Sequence, residues 1–78
     1  MDLIEPRQLV AKALDCAPDC LDPESALGGH PKWDSFGHLN VMMALERHYG
    51  IAITDETVER FATLSAVTAR FNELRSQK

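Results

Sequence analysis

Long apolar runs are missing from this 78-residue chain. No segment approaches the roughly 20 consecutive apolar residues that a membrane-spanning helix needs. Cations are sparse as well, with eight Lys and Arg against 12 Asp and Glu and a formal net charge of −4. Nucleic acids are held by clustered Lys and Arg, so this balance argues against such a partner and favours basic protein surfaces. The start, Met1-Asp2-Leu3-Ile4-Glu5, lacks the basic head of a signal peptide, and the expected location is the cytoplasm. Cysteine is limited to Cys16 and Cys20, which a reducing compartment keeps as thiols. The Ala17-Pro18-Asp19 segment between them is stiffened by proline and disfavours a disulfide. A zinc site would need the pair together with His30 and His38, without the tight ligand spacings of zinc motifs, so no metal is expected.

Size excludes more. Residues 1–78 make a single small domain with little room to enclose an elaborate active site. Hydrophobic content of 45% beside 26% charged residues is that of a folded protein. A module on which other enzymes act, not an enzyme, is the expectation.

Apolar residues recur at helical spacing in four places. A first helix is predicted to start near Ile4–Pro6, where proline is tolerated. It carries Leu9, Val10, Ala13 and Leu14 and should fail near Cys16–Ala17, because the residue before Pro18 resists the α region. A long connection follows, from about Ala17 to Lys32, holding three of the four prolines and the Gly28-Gly29 pair. Leu21, Leu27 and Trp33 are its candidate anchors to the core, and Pro23–Leu27 could form a helical turn. A second helix is predicted from Ser35 to about Tyr49, stopped by Gly50. Ile51-Ala52-Ile53 reads as an extended connector burying two isoleucines. Thr54 should cap a short third helix, Asp55 to about Arg60. The fourth begins near Thr63–Ser65 and carries Leu64, Val67, Phe71 and Leu74, its tail Arg75-Ser76-Gln77-Lys78 fraying. The predicted fold is all-α: a four-helix bundle with three main helices, a short third one and a long first loop.

The segment Trp33-Asp34-Ser35-Phe36-Gly37-His38-Leu39 stands out within this plan. It places a hydroxyl where a loop rich in Pro, Gly and Asp enters an amphipathic helix. Unpaired backbone N–H groups and the positive dipole end welcome an anion at that point. Asp34 or Ser35 could simply cap the helix. A Ser35/His38 nucleophile–base pair is disfavoured, since no carboxylate nearer than Glu46, two turns away, could orient the imidazole; His38 is expected to face solvent or a partner, with a charge that varies near neutral pH. Met42 and Met43, beside Leu39 and Leu45, read most simply as core. A pocket lined by Met42, Ile53 and Phe61 is a secondary expectation.

From Trp33 to Phe71 the chain resembles the acyl carrier proteins. The resemblance rests on Asp34-Ser35-Phe36 opening a helix, Met43-Ala44-Leu45-Glu46, an aromatic at Tyr49, Ile53 before Thr54-Asp55-Glu56, and Thr63 leading into the last helix. It implies an acyl-carrier-type bundle in which a phosphopantetheinyl transferase moves 4′-phosphopantetheine from coenzyme A onto Ser35. The arm's thiol would then carry acyl groups as thioesters. Asp34 would help position the transferase's metal and the hydroxyl. Phe36, Leu39 and Met43 would offer apolar contacts, and Glu46, Asp55, Glu56 and Glu59 acidic ones, to a loading ligase or transferase and to downstream enzymes. The carrier itself would be a monomer.

Three departures qualify the resemblance. Phe36 stands where the family usually has leucine. The second helix offers Glu46 as its lone carboxylate among His38, Asn40, Arg47 and His48, with acidity displaced to Asp55, Glu56 and Glu59. This favours a specialised lipid, polysaccharide or secondary-metabolite pathway over bulk fatty-acid synthesis. Finally, Leu27-Gly28-Gly29-His30 echoes the peptidyl-carrier motif, but Pro31 follows where serine would be needed. Fatty-acyl, polyketide and aminoacyl or peptidyl cargo all stay open, as does an unmodified protein-interaction module.

Overall fold

The computed structural model describes residues 3–76. Four α-helices follow one another along the chain: α1 (Pro6–Ala13), α2 (Ser35–Tyr49), α3 (Asp55–Arg60) and α4 (Leu64–Ser76). No strand forms among the described residues; an isolated bridge pairs Ala26 with Thr63. The fold is the expected all-α bundle with three main helices, one short one and a long first loop.

Helix α1 starts at proline, as predicted, but stops at Ala13, before the Pro18 barrier is reached. Asp15 takes a left-handed conformation (φ 58°), which a short polar residue tolerates better than most. The chain then folds back on itself: the Asp15 amide donates to the Lys12 carbonyl and the Cys16 amide to the Ala11 carbonyl. This Schellman closure satisfies two orphan carbonyls and ends the helix early. Helix α2 ends as expected at Gly50, also left-handed (φ 69°). Helix α3 opens with a reciprocal box in which Thr57 N–H donates to Thr54 Oγ1 and Thr54 N–H to Thr57 Oγ1. Thr63 Oγ1 accepts from Ala66 N–H at the start of α4.

The core joins Leu9, Val10, Ala11 and Leu14 of the first segment to Val41, Met42, Leu45 and Tyr49 of α2 and to Phe61, Leu64 and Val67. Leu21 and Trp33 pin the long loop to this core, as predicted, whereas Leu27 lies exposed. Leu27 is held instead through its backbone, its N–H donating to the Ala62 carbonyl while Leu64 N–H donates to the Ser25 carbonyl. The helical turn of the loop forms at Pro18–Cys20 as one 3₁₀ turn, not at Pro23–Leu27. Buried Ser25 accepts from Asp22 N–H there instead. Of the two connector isoleucines only Ile51 is buried, and Ile53 is exposed. Arg75 remains helical, its guanidinium 5.5 Å from the Phe71 ring centroid; Gln77, Lys78, Met1 and Asp2 lie outside the described residues.

Tyr49 links α2 to the segment before α1 by donating its hydroxyl to the Ile4 carbonyl at 2.6 Å. Burial, with a smaller contribution from the Glu5 carboxylate, pushes its phenol up to about 12 from 10. Below pH 10 the phenol is neutral whether the chain is folded or not, so its interactions hold in full. Between pH 10 and about 12 the unfolded chain ionises first, and stability is lost as pH rises. Urea unfolding across that window should show a loss of at most about 2–3 kcal/mol, which Tyr49→Phe removes. An equally steep loss in the variant would assign the titration elsewhere.

Candidate functional site

Ser35 is the first residue of α2 and is exposed. The capping role falls to Asp34, whose Oδ1 accepts from Gly37 N–H at 2.8 Å, while its carbonyl accepts from His38 N–H. Among the described residues no hydrogen bond ties down the Ser35 hydroxyl. The division follows from geometry: an N-cap in extended backbone can reach the amide three residues on. A side chain already within the first turn points away from it.

Gly37 explains how the loop can enter so tightly. A β-carbon at this position would overlap the Lys32 carbonyl oxygen and sit 2.8 Å from Leu14 Cδ2. The loop therefore crosses directly over the first turn of α2, and only hydrogen fits between them.

His38 is the principal correction to the sequence-based expectation. It is 3% exposed, not solvent-facing. Trp33 Nε1–H donates to its Nδ1 at 3.0 Å, which leaves the proton on Nε2, and Nε2–H donates to the Val58 carbonyl. The imidazole is thus a neutral strut joining the loop, α2 and α3. With both nitrogens occupied it has no free lone pair for Ser35, so a hydrolytic pair is ruled out on geometry.

The residues around Ser35 divide clearly. Phe36 is 78% exposed, and Leu39 and Met43 are each 49% exposed. Spaced by three and four, they form one apolar stripe on α2. Met42 and Leu45 are core, as expected, but Met43 and Leu39 are not. Glu46, Asp55, Glu56 and Glu59 are all exposed. The expected pocket of Met42, Ile53 and Phe61 does not form: Met42 is fully buried. Phe61 instead borders an open groove of about 550 Å³ between the Gly50–Ala52 connector, α3 and α4, and neither Met42, Ile53 nor Ser35 lines it.

The acyl carrier protein of Thermosynechococcus vestitus is 31% identical to this chain over 61 residues, covering 78% of this chain and 75% of that protein. The chain belongs to the acyl carrier protein family. No family model matches it. Acyl carrier proteins are carriers and not enzymes, and membership implies a phosphopantetheine prosthetic group in general. No helix among the described residues of this chain is long and apolar enough to cross a membrane.

Sequence reasoning missed two residues of the site. Gly37 carried a signal, since glycine is a poor helix former in a first turn that needs no flexibility. The pairing of His38 with Trp33 carried none, because five residues of separation do not specify a contact. Gly37→Ala should cost about 1–3 kcal/mol by overpacking. His38→Ala, which leaves the Trp33 N–H and Val58 carbonyl unpaired, should cost about 2–4 kcal/mol. Urea midpoints measure both, and a change under about 0.5 kcal/mol in either would contradict the packing described.

Proposed function

We propose that this chain is an acyl carrier whose phosphopantetheine arm is attached to the Ser35 hydroxyl. The observation that carries the reading is the division of labour at the start of α2. Asp34 takes the cap, and Ser35 is left exposed and unengaged on an ordered helix end. The Ser35 and Phe36 amides face out of that end, beside the dipole's positive pole, where a phosphodiester is stabilised. The arm supplies a terminal thiol on which an acyl group rides as a thioester. The chain supplies the tether and a recognition surface.

That surface consists of the Phe36, Leu39 and Met43 stripe with Glu46 on α2 and with Asp55, Glu56 and Glu59 on and around α3. Apolar residues bury against a partner enzyme while carboxylates steer its basic rim. Glu46 is the lone acid of α2, so cation-rich partner surfaces gain less there than along α3. This favours dedicated partners: a loading ligase or transferase and pathway enzymes adapted to an acidic α3 and a large aromatic at position 36.

Modification is directly testable. Apo-protein incubated with coenzyme A and a promiscuous phosphopantetheinyl transferase should gain the mass of one arm in an intact-mass spectrum. Ser35→Ala should gain nothing while keeping its helical circular dichroism. Asp34→Ala, losing the cap, should lose about 1 kcal/mol of stability and be modified more slowly. A folded wild-type protein that stays unmodified would falsify the carrier assignment and favour a protein-interaction module.

A further inference from the structure

The long loop contains a second cluster, which the carrier role does not use. We propose that Cys16, Cys20 and His30 form a binding site for a thiolate-seeking divalent cation of the zinc class. One ligand atom from each lies within 4.8 Å of the other two. Three different pieces of backbone deliver them. Cys16 is set by the Schellman closure of α1, its amide bonded to the Ala11 carbonyl, and Cys20 by the 3₁₀ turn, its amide bonded to the Ala17 carbonyl. His30 is held by its ring, with Nε2–H donating to the Cys20 carbonyl at 3.0 Å and Nδ1 accepting from Lys32 N–H at 3.1 Å.

The donor set selects the ion. Two sulfurs and one imidazole suit zinc and its borderline-soft neighbours, and poorly suit magnesium or calcium. In a tetrahedral zinc site, sulfur and nitrogen ligands stand about 3.5–3.8 Å apart. The cluster therefore closes by at most about 1 Å, a movement within reach of side-chain rotation at an exposed Cys20 and half-buried Cys16 and His30. Both ring nitrogens are engaged, Nε2–H on the Cys20 carbonyl and Nδ1 on the Lys32 amide, so metal binding at the imidazole must displace one of these two contacts. With three protein ligands, a water would complete four-coordination.

Lys32, two residues beyond His30, is drawn aside, its Nζ donating to the Asp15 carbonyl at 3.1 Å. Both thiols must deprotonate on binding, so affinity should rise with pH. Bound metal would staple the end of α1 to the Gly28-Gly29 turn, the segment that leads to Trp33 and Ser35.

The test uses the full chain, metal-free, chemically reduced and anaerobic, titrated with Co²⁺ and then Zn²⁺. One equivalent of Co²⁺ should produce a thiolate-to-cobalt charge-transfer band that Zn²⁺ bleaches. Zn²⁺ should also raise the melting temperature. Cys16→Ser and Cys20→Ser should each weaken binding at least about 100-fold, and His30→Ala about 10-fold or more. Circular dichroism checks that each variant is folded, and all three should lose the Zn²⁺-induced melting shift. Absence of the band, or uptake unchanged by all three substitutions (adventitious surface metal only), overturns the proposal. Neither outcome bears on modification at Ser35.

Discussion

The hydrogen-bonded chain from Trp33 through His38 to the Val58 carbonyl holds the separate parts of this fold in register. Trp33 is fully buried at the end of the long loop, His38 sits in the first turns of α2, and Val58 lies in α3. One imidazole satisfies a donor and an acceptor that would otherwise be stranded in a nearly dry interior, where an unmet polar group costs more than a made bond returns. Moving any of the three parts alone would break one end of the chain. A single ring thereby orients the loop, the helix that bears Ser35, and the acidic short helix relative to each other.

Ser35 benefits from this rigidity without taking part in it. Asp34 satisfies the first-turn amide of Gly37, and Gly37 lets the Lys32 carbonyl pass close by. The serine is left on a helix end whose orientation is set by residues before and after it. A hydroxyl meant for another enzyme needs such a place: ordered enough to be recognised, yet uncommitted to the fold's own hydrogen bonds. The exposed stripe of Phe36, Leu39 and Met43 beside it follows from the same arrangement, since turning His38 and Met42 inward forces their neighbours outward.

The long first loop is less irregular than its composition promised. It is anchored by Leu21 and Trp33 side chains and by backbone bonds from Leu27 to Ala62 and from Leu64 to Ser25. Those backbone bonds gave no signal in the chain, because any residue can donate an N–H. The early stop of α1 was equally hidden: Asp15 in a left-handed conformation is tolerated but not demanded by an aspartate. The contact of Cys16, Cys20 and His30 depends on both events, the α1 closure and the loop's return. Spacing alone therefore pointed away from it.

What the linear order of residues determined is local. Pro6, Gly50, Thr54, Thr63 and the periodic apolar positions specify one end of each of the four helices, because caps and periodicity act within a few residues. Asp34-Ser35 at a loop-to-helix boundary likewise marked the candidate attachment point. What only tertiary structure decided is which face each helix residue meets. The helical period leaves His38, Leu39 and Met43 near the edge of the apolar stripe, where either side is allowed. Packing against Trp33 and α3 drew His38 in and left Leu39 and Met43 out, since one buried strut satisfied two distant polar groups and no side-chain period encodes that pairing.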